Sequence, residues 1–370
     1  MNEALSLKVR TFTALCSLVV LLIVANSAPA AQWYPLEVEN WTPPFVDSRQ
    51  RELVTYVPLD AAAQRWNICV SIPHLKDDYW LAVNYGLVNE AKRIGVNLAI
   101  YEAGGYENLD VQRKQIDDCV ADPSVEGIII SAIAADGLAE QISAARARGL
   151  PVLDLINGIN SADITARNAV DYYDMGYSIG EYLVAASEES DGATGVAWFP
   201  GPEGAGWVAA GDKGFRAALA NSKLEILVTG WGDTSRAEQS RQLRIVLDDM
   251  GDTIVNQIGY VVGTAVTAEA ATSILRSRGL TNRVSVLSYY YGPGVHMGIR
   301  RRSILASPTD SPVLQSRIAV DTMTRILEQA PYFKHVSPQV IVVDQANMRQ
   351  WDSSTSLAPR GFRAIFSVEE

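Results

Sequence analysis

The chain has 370 residues, with 31 Lys and Arg against 42 Asp and Glu, a formal net charge of −11. So acidic a surface repels nucleic acid and anionic membrane, and neither end carries a basic cluster to offset it. The length exceeds what one hydrophobic core normally serves, so two domains are expected.

Lys8 and Arg10 precede an apolar run, Phe12 to Val24, followed by the small residues Asn26-Ser-Ala-Pro-Ala-Ala31. This is the layout of a secretory signal peptide over 1–31, cut after Ala30 or Ala31, with an uncleaved anchor as the alternative. Without Glu3, Lys8 and Arg10 the balance is 29 to 41, or −12. No second apolar run reaches spanning length, so the mature chain is expected outside the cytoplasm without a membrane span. Residues 32–64, with Pro35, Pro43, Pro44 and Pro58, read as an extended lead-in packed over the body.

A regular alternation follows. Strands are expected at 66–72, 96–101, 125–131 and 151–156, and helices at 79–94, 109–120 and 137–148. Leu81, Tyr85, Val88 and Ala91 mark the first helix stripe, Gly95 ends it, and Asp136 is placed to cap the third helix. The rhythm breaks at 157–167 and resumes with helices at 175–187, 207–220, 236–249, 266–278, 293–301 and 312–328. The matching strands fall at 194–199, 224–229, 258–262, 284–288, 303–306 and 339–343. Alternation of this kind builds parallel α/β sheets. Two runs of it point to two doubly wound, Rossmann-like domains, with a (β/α)₈ barrel as runner-up.

In such sheets ligands sit beyond the carboxyl ends of the strands. The first two strands end in His74-Leu-Lys-Asp-Asp-Tyr-Trp80 and Glu102-Ala-Gly-Gly-Tyr106. An acid, Asp77, with the rings of Tyr79, Trp80 and Tyr106 suits a small cation or methylated ammonium group. Each has a plainer reading: Asp77 complements a helix dipole, and Tyr79 and Trp80 pack the helix start. The glycine-rich loop 201–206 lacks the Lys-Ser/Thr pair of a phosphate cradle, and Glu203 would repel phosphate. Trp207 behind it reads as rim or packing, and Trp198 as core. Catalysis has little support: there is no Gly-x-Ser-x-Gly elbow, and the three histidines stand alone. A pairing of Asp77 with Asp310 would equally serve a glycosidase or a binder. No cofactor motif appears, and no His-Cys cluster has metal-ligand spacing. Cys69 and Cys119 remain after leader removal, either as a disulfide or as two buried thiols.

Lys76-Asp-Asp-Tyr-Trp-Leu-Ala-Val-Asn-Tyr-Gly86 and Glu102-Ala-Gly-Gly-Tyr106 are the specific blocks of a wider resemblance. Pro200-Gly-Pro202, Gly214-Phe-Arg-Ala-Ala218, Gly263-Thr-Ala265 with Ala268-Glu-Ala-Ala271, and Gly361-Phe-Arg363 extend it from about Trp66 to Phe366. Together they resemble the TorT-like trimethylamine N-oxide sensors of the type I periplasmic binding proteins, the ribose-binding class. That resemblance implies two Rossmann-like lobes joined by a three-stranded hinge, 66–170 plus 308–335 and 171–307 plus 336–370. It implies a periplasmic co-receptor docked on the periplasmic domain of a TorS-like membrane histidine kinase. The family's pocket acid and aromatics fall on Asp77, Tyr79, Trp80, Tyr106, Tyr172 and Tyr290. Tyr172 stands where the family has Trp. Asp310 lies where the superfamily often faces ligand, or else caps a helix. The alternative function is delivery of a small solute such as a sugar to an ABC transporter.

Overall fold

The computed structural model describes residues 33–46, 50–189, 192–249 and 256–369; the expected leader at 1–31 lies outside them. The lead-in is a hairpin, β1 (Leu36–Trp41) and β2 (Arg51–Tyr56). The first run is β3 (Asn67–Ile72), α1 (Asp78–Ile94), β4 (Asn97–Glu102), α2 (Leu109–Ala121), β5 (Gly127–Ile130), α3 (Ala139–Ala147), β6 (Val152–Leu155) and β7 (Ala166–Asn168). The second is α4 (Tyr172–Glu188), β8 (Gly195–Gly201), α5 (Gly206–Leu219), β9 (Glu225–Trp231), α6 (Arg236–Asp249), β10 (Ile258–Gly263), α7 (Ala265–Ser277), β11 (Ser285–Ser288) and α8 (Pro293–Arg300). Then come β12 (Ala306–Thr309), α9 (Pro312–Leu327), β13 (Val336–Ser337), β14 (Ile341–Asp344) and β15 (Ser367–Val368).

Two separate sheets result. The first runs β15-β4-β3-β5-β6-β7 and the second β11-β10-β8-β9, parallel throughout except for β15. An open pair of doubly wound sheets excludes the barrel. β12 and β14 form an antiparallel ribbon, and β13 joins the lead-in hairpin. The central strands β3, β5, β6, β8 and β10 are nearly all buried, as strands covered by helices on both faces must be, while the outer strands β4 and β9 are partly exposed.

The structure departs from the sequence expectations in particular places. Of the expected stripe on the first helix, Val88 and Ala91 are buried, together with Trp80, Val83, Leu87 and Ile94, while Leu81 and Tyr85 are only partly buried. Gly86 allows this rotation, because a Cβ there would lie 2.5 Å from Val313 O on α9. Asp136 is exposed and caps nothing: α3 starts at Ala139 behind Leu138, without a side-chain cap bond. The break at 157–167 ends in a short strand, β7, too brief to show periodicity. The tail does not stay with the second sheet: Val368 pairs with Leu98 on the edge of the first.

Cys69 on β3 and Cys119 on α2 are joined as a disulfide, with their Cα atoms 6.2 Å apart. The lead-in is bound to the body at α9, where the Tyr56 hydroxyl donates to Asp321 Oδ2 at 2.5 Å. Arg51 lies over the Trp41 ring at 3.8 Å. Its guanidinium pairs with Glu39, Asp171 and Asp174, so the hairpin grips the first turn of α4. No helix among the described residues is long and apolar enough to cross a membrane.

α4 and α5 touch backbone to backbone. A Cβ on Gly176 would stand 2.0 Å from Gly211 O, and one on Gly214 would stand 2.0 Å from Tyr173 O. Backbone cannot yield as a flexible side chain does, so Gly214→Ala must push the helices apart. We expect it to cost about 1–3 kcal/mol. Urea unfolding would read this as a lower midpoint with an unchanged slope, and an unchanged midpoint would show that the helices are not in contact.

Candidate functional site

The carboxyl ends of both sheets converge on one small cavity. Its free volume is about 20 Å³, and it is lined by Asp77, Tyr79, Trp80, Tyr106, Asn157, Tyr172, Trp207, Thr234 and Tyr290. That is room for about one or two water-sized groups, well below the several hundred Å³ of a site for a drug-sized ligand. Six of the nine lining residues are aromatic, so rings make up most of the wall. A cleft of about 260 Å³ opens from one side past Asp78, Arg236 and Glu269. Another of about 590 Å³ adjoins it past Asn157, Tyr172 and Trp207.

Each ring has a backbone reason for its position. Asp77 is the N-cap of α1, its carboxylate accepting from Trp80 N at 3.1 Å. This cap turns Tyr79 and Trp80 inward at the first turn. Both readings of Asp77 therefore hold geometrically, since it caps the helix and lines the cavity. The same is true of Trp80, which is 3% exposed and belongs to the packed core. Gly104 and Gly105, both at positive φ, make the turn that presents Tyr106. Tyr172 opens α4 behind its N-cap Asp171.

Of the three consecutive tyrosines, only Tyr290 lines the cavity. Tyr289 is fully buried, and Tyr291 bonds His296 Nδ1 at 2.8 Å. Tyr290 sits edge-on to Tyr79, with ring centroids 5.4 Å apart.

Asp310 is not a cap. Ser311 precedes α9 in that role, and Asp310 is buried with Oδ2 accepting from Tyr79 Oη at 2.5 Å and from Gln315 Nε2 at 2.6 Å. Burial pushes its carboxyl above the usual range, while the Tyr79 and Gln315 bonds oppose that rise. Tyr79 Oη also lies 3.2 Å from Tyr172 Oη. Asp310 thus stands behind the wall and fixes two of its rings.

Three residues of the lining were not singled out from the sequence as site residues. Asn157 falls in the arrhythmic segment and Thr234 in a polar loop, neither of which carries a local signal. Trp207 reads from the sequence as rim or packing. Its position at the first turn of a helix behind a strand end, which equally describes Trp80, was the available clue. His74 backs the cage, edge-on to Trp80 at 5.9 Å and to Tyr106 at 5.5 Å. Burial lowers its pKa to about 4, and Nδ1 accepts from Lys76 N, so at neutral pH the ring is uncharged.

The model of the periplasmic binding protein domain family matches residues 68–331. Periplasmic protein TorT of Escherichia coli K12 is 34% identical over 307 residues, covering 82% of this chain and 85% of TorT. An ABC transporter solute binding protein from Bradyrhizobium sp. BTAi1, solved with bound Bis-Tris, superposes with a TM-score of 0.78. It is 45% identical and covers 91% of this chain and 99% of its own. TorT in its complex with the TorS sensor domain, in the presence of trimethylamine N-oxide, gives a TM-score of 0.71 at 33% identity, covering 81% and 99%.

Desolvation raises the Asp77 carboxyl to about 6, the Trp80 N–H bond opposing it and nearby Asp78 and Asp233 adding to it. A raised acid favours its protonated form in the fold, so its ionisation costs stability as pH climbs from about 4 through 6. His74 has the opposite slope in the same window, because acid must charge a buried ring. Comparing wild type with Asp77→Asn cancels the histidine. The variant should gain on the order of 1–3 kcal/mol relative to wild type between pH 4 and pH 7. A stability difference that is flat with pH would show that Asp77 is ordinarily solvated.

Proposed function

The chain belongs to the periplasmic binding protein domain family, whose members bind ligands and are not enzymes; on that premise we propose that it senses trimethylamine N-oxide, or a closely related methylated amine oxide, for a membrane histidine kinase. The aromatic cavity carries this reading. Methyl groups on a positive nitrogen are attracted to ring faces, each contact contributing roughly 0.5–2 kcal/mol when desolvated. With six of the nine lining residues aromatic, the wall holds few polar partners to satisfy a sugar's hydroxyl shell. The TorT proteins that the chain resembles support the same class of ligand, and one was solved with the N-oxide present on a TorS sensor domain.

The rings come from both sheets: Tyr79, Trp80 and Tyr106 follow the first, Trp207 and Tyr290 the second, and Tyr172 the link between them. Only a closed arrangement completes the cage, so ligand favours closure by as much as it prefers that state. We assign the two lobes to the two sheets, with the periplasm as their compartment and a TorS-like sensor domain as the partner that reads closure.

A second reading is delivery to an ABC transporter. The 45% identical solute binding protein favours it, and its bound Bis-Tris is itself a tertiary amine. The two readings share a substituted nitrogen and differ in what docks outside. Mixing the protein with the sensor domain of a kinase encoded beside it, with and without N-oxide, separates them.

Titration calorimetry with trimethylamine N-oxide should show one site filled at sub-millimolar concentration, with no heat from ribose. Tyr290→Leu keeps the bulk and removes a π face, so affinity should fall about 2- to 30-fold. Heat from ribose alone, or an unchanged affinity in the variant, would reject the cage as the amine-oxide site.

A further inference from the structure

We propose that the oxygen of the ligand is received by two donors, the Trp207 indole N–H and the Tyr106 hydroxyl, and that Trp207 is what lets the site tell an amine oxide from a permethylated ammonium ion. The inference rests on the amine-oxide reading above and assigns it a polar pole.

The cage alone cannot make that distinction. Rings attract the methyls of trimethylamine N-oxide and of tetramethylammonium alike; the first is a net-neutral dipole and the second a cation of nearly equal size, and they differ at one substituent on nitrogen. An oxide needs donors, while the lining carboxylate of Asp77 repels it. Buried donors without protein acceptors are the groups to look for, because leaving one unpaired in an apolar wall is costly.

Trp207 is such a group. It is 5% exposed, it lines the cavity, and its Nε1 has no hydrogen-bond partner within the described protein. The Trp207 and Tyr106 rings are neighbours in the cavity wall, with centroids 6.2 Å apart, so both groups border the same space. Tyr106 is the second donor by elimination of its other roles. Its oxygen accepts from Asn157 Nδ2 at 3.1 Å, and the other Nδ2 hydrogen goes to Ala132 O at 2.8 Å. The carbonyl fixes which way the Asn157 amide faces, so the phenol proton is left to point elsewhere. Burial also keeps that proton in place far above neutral pH.

The indole is held before any ligand arrives. Its ring stacks on Tyr289 at 6.0 Å and 15°, and the Tyr289 hydroxyl donates to Trp207 O at 3.1 Å. Gly201, at φ +126°, has no side chain where the Trp207 ring lies; a Cβ there would stand 2.7 Å from Cη2. A donor fixed by stacking and by a glycine loses little freedom on binding. Asn157 acts one step back, as a positioning residue for Tyr106.

The test is calorimetry on wild type and Trp207→Phe, each with trimethylamine N-oxide and with tetramethylammonium chloride. The variant keeps an aromatic ring in the stack and removes the donor together with the indole's second ring, a loss of ring that the tetramethylammonium arm reads separately. Affinity for the N-oxide should fall about 10- to 100-fold, the range for a bond to a charged acceptor, while tetramethylammonium binds within about twofold of wild type. Equal losses for both ligands, or an unchanged N-oxide affinity, overturn the proposal and leave the sensing reading standing. Wild type that takes tetramethylammonium and refuses the N-oxide overturns both. If thermal melting shows Trp207→Phe unfolded, Tyr106→Phe carries the same comparison with the same outcomes.

Discussion

The hydroxyl of Tyr79 joins three parts of the chain that are far apart in sequence. It donates to Asp310 Oδ2, ahead of α9, and lies 3.2 Å from Tyr172 Oη, at the first turn of α4. Asp310 is buried and its Oδ1 has no hydrogen-bond partner among the described residues, so the bonds that Tyr79 and Gln315 donate to Oδ2 are what offset the cost of burying the carboxylate. Break this link and Asp310 loses a partner, Tyr79 loses its orientation, and the cage loses the wall that connects one sheet to the passage toward the other. The rings supply the attraction, but this bond decides where two of them stand.

Much of the fold was legible because parallel strands and their covering helices write strong periods. Ile128 to Ile130 cannot be mistaken for surface, and Gly95 and Gly149 stop helices where only a glycine takes a positive φ cheaply. What failed to read was short or set by tertiary contact. β7 has three residues, too few for a period. The orientation of α1 follows Gly86 against α9, a partner more than two hundred residues away. The return of β15 to the first sheet depends on an edge that no local pattern announces.

The site divided in the same way. Asp77, Tyr79, Trp80 and Tyr106 sit at strand ends, where geometry directs side chains into the crevice, and the cavity does gather them. Tyr172 and Tyr290 were located by resemblance, and both line it. Asp310 was put among ligand contacts or caps and is a brace. Asn157 and Trp207 carry polar functions that depend on which atoms go unpaired, and that property does not exist until the chain is folded.

The placement of Trp80 and Trp207 has an optical consequence. The chain has eight tryptophans, and these two face the cavity directly. Indole emission responds to the polarity and the charges around the ring. A dipolar solute entering between them would shift the protein's intrinsic fluorescence, so occupancy announces itself without any attached dye.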